Sequence, residues 1–227
     1  MRLSILAIAL SVGACALQRG LTPDATASLK NRQLTPMVRR APGLVFVAPD
    51  KPTLGLAGAI AMSEAGLRLV RENAIEDPAF KIAGELGERL RRGYGLRPSA
   101  PVLAVVDDDP TNISRANPAA DLVLDVWTDN WAIIPFKSED PAYSVKYRVN
   151  IRLIDAKGAP TIDGKSGTVM AEGTCTCNSE DESLAPTYDE LVADHARRLK
   201  GELETAVEVC VEDFSSRILL LGHVDGQ

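Results

Sequence analysis

Four cysteines, two tryptophans and two histidines are the residues best suited to chemistry in this 227-residue chain. Cys175-Thr176-Cys177 could open a thiolate metal site. A tetrahedral site needs about four ligands, and neither His195 nor His223 stands at ligand spacing with that pair. Asp107-Asp108-Asp109-Pro110 could hold a cation, but it lacks the remaining ligands of a calcium loop and reads as a solvated run of carboxylates. His195 reads as a surface residue of a long helix. No nucleophile elbow, phosphate-binding loop or dinucleotide fingerprint is present. The expectation is a non-catalytic protein without metal or cofactor. What remains is Trp127, Trp131, Arg148 and Arg152. A guanidinium stacked on an exposed indole is worth roughly 0.5–1 kcal/mol. Trp and Arg dominate binding hot spots, and indole also stacks on sugars.

Charge narrows the partners. The formal net charge is −6. Residues 16–42 hold Arg19, Lys30, Arg32, Arg39 and Arg40 against Asp24 alone, so the rest of the chain is more acidic than the total suggests. Such a body lacks the basic footprint that phosphate binding requires, which argues against nucleic acid.

The N-terminus reads MRLSILAIALSVGAC. Arg2 gives a positive start, and Leu3 to Val12 form an apolar run too short for the roughly 20 residues of a membrane-spanning helix. The pattern suits a signal peptide. Val12-Gly13-Ala14-Cys15 resembles the lipobox of bacterial lipoproteins, where signal peptidase II cuts before an acylated cysteine. Small residues let the peptide lie extended in the protease, and the cysteine sulfur takes the diacylglycerol. The resemblance implies a signal peptide over 1–14 and a lipid on Cys15. Because Ala16 is not an inner-membrane retention signal, it also implies anchoring at the outer membrane, facing the periplasm. Residues 15–42, with Pro23, Pro36 and Pro42, read as a lipidated N-terminus and flexible basic tether. Its cations either favour anionic headgroups or are merely solvated. Residues 43–227 read as a single domain.

Within that domain, Gly43 to Ala48 and Val102 to Val106 are short apolar runs, read as buried strands. Leu54 to Asn73 is rich in small residues and predicts a closely packed helix; a membrane-dipping segment is the minor alternative. Asp77-Pro78 starts another helix, with Phe80, Ala83, Leu86 and Leu90 as its stripe and Gly93-Tyr94-Gly95 as its stop. Asp121 to Ile134, Ser144 to Asp155 and Thr168 to Cys177 show strand patterns, with the second alternating most cleanly. Thr187 and Glu190 form a capping-box pattern. From there Val192, Ala196, Leu199, Leu203, Ala206, Cys210 and Phe214 predict one long helix with a continuous apolar face. The order predicts an α/β (α+β) two-layer sandwich: a mainly antiparallel or mixed sheet of about five strands, helices on one face, and a long C-terminal helix.

Two side-chain arrangements follow. In the oxidising periplasm a bridge is expected among Cys175, Cys177 and Cys210. Adjacent same-face cysteines on a strand are roughly 6.5–7 Å apart, at or beyond the disulfide span. Cys210 should therefore pair with Cys175, or alternatively with Cys177. A hairpin across Lys137–Ala142 would set Trp131 opposite Arg148, Trp127 opposite Arg152 and Asp129 opposite Asn150, a ladder that either stabilises the sheet or binds a partner. In general character the chain resembles uncharacterised proteobacterial periplasmic and outer-membrane lipoproteins. The expected function is a lipid-anchored envelope adaptor or assembly protein, with the membrane and an envelope protein or glycan as partners. A periplasmic small-molecule or glycan binder is the alternative.

Overall fold

The computed structural model describes residues 18–47, 55–104, 108–136, 142–158, 167–178 and 185–221, with backbone alone for 55–61 and 104. The elements in chain order are α1 (Pro23–Ala27), β1 (Gln33–Arg39), β2 (Val45–Phe46), α2 (Gly55–Glu72), α3 (Pro78–Tyr94), β3 (Arg97–Pro98), β4 (Val102–Ala104), α4 (Pro110–Ala116), β5 (Leu122–Pro135), β6 (Tyr143–Asp155), β7 (Thr168–Asn178) and α5 (Tyr188–Asp213). A π-helical turn, Phe214–Ile218, follows α5.

Local sequence grammar starts the helices. Thr22, Asp77 and Asp109 each precede a proline at the first helical position, and each side chain accepts from a backbone N–H of the first turn. Thr187 and Glu190 form the reciprocal capping box of α5. α3 stops at Gly95, whose φ of +67° is the left-handed cap that glycine adopts without a Cβ penalty. Its buried row is Ala79, Ile82, Ala83, Leu86 and Leu90, whereas Phe80, expected in the stripe, is exposed. The small residues of α2 permit close approach: a Cβ on Gly66 would lie 1.7 Å from the Leu44 carbonyl oxygen. Among the described residues no helix is long and apolar enough to cross a membrane.

The strands form one open mixed sheet in the order β3-β1-β5-β6-β7, with β4 also beside β1 and β2 beside β5. β1 runs parallel to β3, β4 and β5, while β5, β6 and β7 form an antiparallel meander. The main core, which includes residues of α3 and α5, lies against one face. On the other, Ile113 of α4 joins Met37, Ala120, Val123 and Ile154 in a smaller cluster.

Three expectations are corrected here. The strand at Val102 is not buried: in β4, which pairs with β1, Val102 and Leu103 are exposed. Residues 18–42 are not a free tether: Leu21, Leu29, Leu34, Met37 and Val38 are buried, and β1 is an interior strand. Pro36 argued against such a strand, because it cannot donate to a ladder. It falls where the outer side of β1 changes partner, between Leu34 opposite Pro98 and Met37 opposite Val102. α5 is also not one straight helix. Ala193 to Ala196 leave right-handed geometry, with φ of 51°, 57° and 56° at Asp194, His195 and Ala196. The first turns are tied to the start of β6 through the Pro186 carbonyl and Tyr143 N–H (2.8 Å), and the later turns are tied to β7 through Cys210. The break joins those two directions. The expected apolar face persists from Leu199 to Phe214.

Candidate functional site

The long hairpin of β5 and β6 builds the site. Its register differs from the expected ladder. Pro135 is opposite Tyr143, so pairing starts one residue away from the expected position. An irregularity between Thr128 and Asn130 leaves Asp129 as an extra residue in β5. The pairs are Trp127 with Asn150, Asp125 with Arg152, Asn130 with Arg148, and Trp131 with Tyr147. Because side-chain direction has period two, the extra residue turns Trp131 to the face opposite Trp127. Trp131 is 3% exposed, inside the main core, and its indole N–H donates to the Pro42 carbonyl at 2.7 Å. It is a core residue and leaves the proposed surface. Arg148 pairs instead with the bulged Asp129, at 3.2 Å on the protein exterior.

Trp127 remains, partly exposed, on the face away from the main core. Two guanidinium groups flank its ring, Arg39 at 4.2 Å and Arg152 at 5.0 Å from the centroid. Arg152 was expected beside Trp127 and reaches it diagonally. Arg39 was missed, since it lay within the supposed tether. Both cations are fixed by Asp125, whose side chain is fully buried. Arg39 donates from Nε to Oδ1 (2.9 Å) and from Nη2 to Oδ2 (2.6 Å), a bidentate fork. Arg152 donates to Oδ2 from Nη2 (2.8 Å) and Nε (3.2 Å), and to the Asp108 carbonyl from Nη1 (2.9 Å). Arg39 also pairs with the Asp108 carboxylate. Burial works against the Arg39 cation, but Asp125 and Asp108 outweigh it and hold its pKa above the ordinary value. Arg39 in turn holds the Asp108 carboxyl below the usual carboxylate range. The acidic run is therefore not merely a solvated loop: Asp108 binds Arg39, and Asp109 caps α4 by accepting from Thr111 N–H at 2.8 Å. Asp107 lies outside the described residues.

The opposite face carries the sulfur chemistry. Cys175 and Cys210 form the expected disulfide across 35 residues, joining β7 to α5. Cys177 is free, with its sulfur 3.5 Å from that of Cys210 and 3.8 Å from that of Cys175. Burial pushes the Cys177 thiol up in pKa, which disfavours the reactive thiolate. The three sulfurs lie within 4.8 Å of one another, but the bridge occupies two of them. Nearby, Asp77 Oδ1 accepts from Ala79 N–H (3.0 Å) and Thr128 Oγ1 (2.5 Å), and Thr128 meets the Tyr147 hydroxyl at 3.0 Å. Asp77 Oδ2 is buried without a partner among the described residues, and desolvation raises the carboxyl pKa. His195 is exposed at the break in α5; Cys15 and His223 lie outside the described residues.

Among the described residues, grooves of about 300, 370 and 500 Å³ flank α5, each open to solvent. None encloses a ligand as a small-molecule site would. No protein-family model matches the sequence, and no curated protein is significantly similar to it. Solved structures give distant likenesses. A hypothetical protein of Chlamydia trachomatis is 8% identical with a TM-score of 0.39, over 82% of this chain and 97% of that one. PelC of Paraburkholderia phytofirmans, a dodecamer, is 14% identical with a TM-score of 0.38, over 89% and 95%. Lipoprotein GNA1162 of Neisseria meningitidis is 15% identical with a TM-score of 0.24, over 79% and 99%.

Proposed function

We propose that the protein is a non-catalytic, lipid-anchored protein of the bacterial envelope. A diacylglyceryl group on Cys15 holds it at the outer membrane, facing the periplasm, and it binds another envelope component through the sheet face around Trp127. The observation that carries this reading is the indole held between Arg39 and Arg152, with both guanidinium groups fixed by the buried Asp125. Groups fixed before encounter lose little freedom on binding, and Trp and Arg are the residue types that anchor interfaces. A bridge between Cys175 and Cys210 suits an oxidising compartment. The surface is smaller than two stacked tryptophans would give, because Trp131 serves the core. Open grooves favour a macromolecular partner over an enclosed small molecule.

The test is Trp127→Ala in crosslinked envelopes. Losing two guanidinium contacts should lower stability by about 1–2 kcal/mol while removing the crosslinked partner. If every crosslink of the parent persists in the folded variant, the face is structural and the reading fails.

A further inference from the structure

The chain enters the fold much closer to Cys15 than a tether would allow. Arg19 and Glu172 exchange backbone hydrogen bonds of 2.9 and 2.8 Å, so the N-terminal segment lies antiparallel along the outer edge of β7. Gln18 donates its side-chain amide to the Thr174 carbonyl (3.3 Å) and accepts from Arg217 Nη1 (2.8 Å). Leu21 N–H bonds the Ile218 carbonyl at 2.9 Å, and its side chain is buried. The fold is therefore fastened from Gln18 onward, three residues after Cys15.

That leash decides an orientation. Three residues span at most about 10–11 Å. The headgroup layer on each side of a bilayer is roughly 5–8 Å thick, taking the total thickness less the hydrocarbon core. Crossing it uses most of the leash. Asn178, where β7 ends, lies four residues beyond Thr174, about 13 Å further along at strand spacing. A lipid on Cys15 cannot reach past that end, so the domain cannot stand on it. Helices project from both faces of the sheet. The surface that receives the chain nearest the anchor is the β7 edge, with the π-helical turn at Arg217 and Ile218 beside it. Among the described residues, no strand pairs with that edge beyond Glu172, and Thr176 and Asn178 are exposed.

We propose that the domain lies edge-on against the phospholipid headgroups of its own membrane, with Thr174 to Asn178 of β7 facing them. This rests on lipidation of Cys15. The partner is a headgroup layer, whose phosphate and ester oxygens can accept from the backbone N–H groups of an open strand edge. Arg19 and Arg217 sit among Glu172 and Asp213, so the local charge is balanced and the contact depends little on salt. The Trp127 face then stands upright from the membrane, open to the periplasm.

The test uses the full-length lipidated protein in vesicles of phosphatidylethanolamine and phosphatidylglycerol, carrying Cys177→Ser and a spin label at Thr176→Cys. A matched protein carries the label at Leu103→Cys, on the opposite sheet edge, where Leu103 is 63% exposed. Collision with an aqueous nickel chelate should fall several-fold at position 176 and stay unchanged at 103, relative to the soluble Cys15→Ala protein. A flexible Gly/Ser insert of about twelve residues between Leu17 and Gln18, adding roughly 20 Å of reach, should restore access at 176 while the protein still sediments with vesicles. Equal access at 176 and 103 in sedimenting protein overturns the edge-on orientation alone. A protein that carries no lipid and fails to sediment overturns the lipidation reading and this one with it.

Discussion

The two faces of the sheet hold together by different physics, and β5 serves both. On one face Leu122, Leu124, Val126, Trp131 and Ile133 enter a large apolar core. On the other, Val123 joins a small apolar cluster, Asp125 anchors two arginines, and Trp127 lies between them. The apolar face is specified by shape and volume, which tolerate no gap. The ionic face is specified by charge pairing: one carboxylate is removed from water only because two cations and four hydrogen bonds surround it. Trp127 and Trp131, four residues apart, fall on opposite faces because of one extra residue. Identical side chains therefore have unlike tasks, one as packing and the other as accessible surface.

The comparison can be broken most forcefully at its two centres. Trp131→Ala should cost about 3–5 kcal/mol from the lost volume and stranded carbonyl. Asp125→Ala should cost a similar 3–5 kcal/mol, by leaving Arg39 and Arg152 without their buried counter-charge. Urea titration at neutral pH reads both, and a neutral Asp125→Ala would show that the ionic face is not a structural element. Next comes the bridge. Cys210→Ser should cost on the order of 3–4 kcal/mol for the 35-residue separation, in the chain-entropy account. Cys175→Ser should cost less, because the Cys177 sulfur, 3.5 Å away, can take its place on Cys210. Non-reducing peptide maps of the Cys175→Ser protein would reveal the substitute bridge or its absence.

A subtler test is deletion of Asp129. Removing one residue from a central strand normally turns everything beyond it to the wrong face. Here it removes the irregularity, leaving Trp127 and Trp131 on their present faces. The expected loss is about 1 kcal/mol, including the exposed Arg148–Asp129 pair. Unfolding of the deletion variant would show that the bulge itself is needed. The smallest effect concerns Asp77. Its folded pKa is raised, so its charged form is penalised at neutral pH and the native state gains stability as pH falls through that pKa. Asp77→Asn keeps a competent cap and should be more stable than the parent at pH 7, with the advantage fading in acid. Parallel stability profiles for the two proteins would contradict the raised pKa.

Local patterns in the sequence were enough for β5, β6, β7, α2, α3 and the capping box, because their periodicities and caps act over a few residues. They also placed a bridge from Cys210 to β7, since strand spacing disfavours a pairing within the strand and the apolar face of α5 carries Cys210 to β7; the structure chose Cys175 over Cys177. β1 escaped notice because Pro36 and three nearby cations look like linker chemistry until their partners are known. Arg39 in particular is a surface-type residue by composition and a buried one by contact.

The residues alone thus determined the alternations, the helix starts and which cysteines could meet, all consequences of dihedral preference and short-range hydrogen bonding. Only the tertiary structure decided which face each tryptophan took, where Arg39 went and how near the fold begins to Cys15. Those depend on register. A single extra residue reverses a face, and a buried charge is tolerated only beside partners from other strands and loops, 27 to 86 residues away. Neither can be read from a window of neighbouring residues, because the competing arrangements there differ in energy only through contacts formed across the sheet.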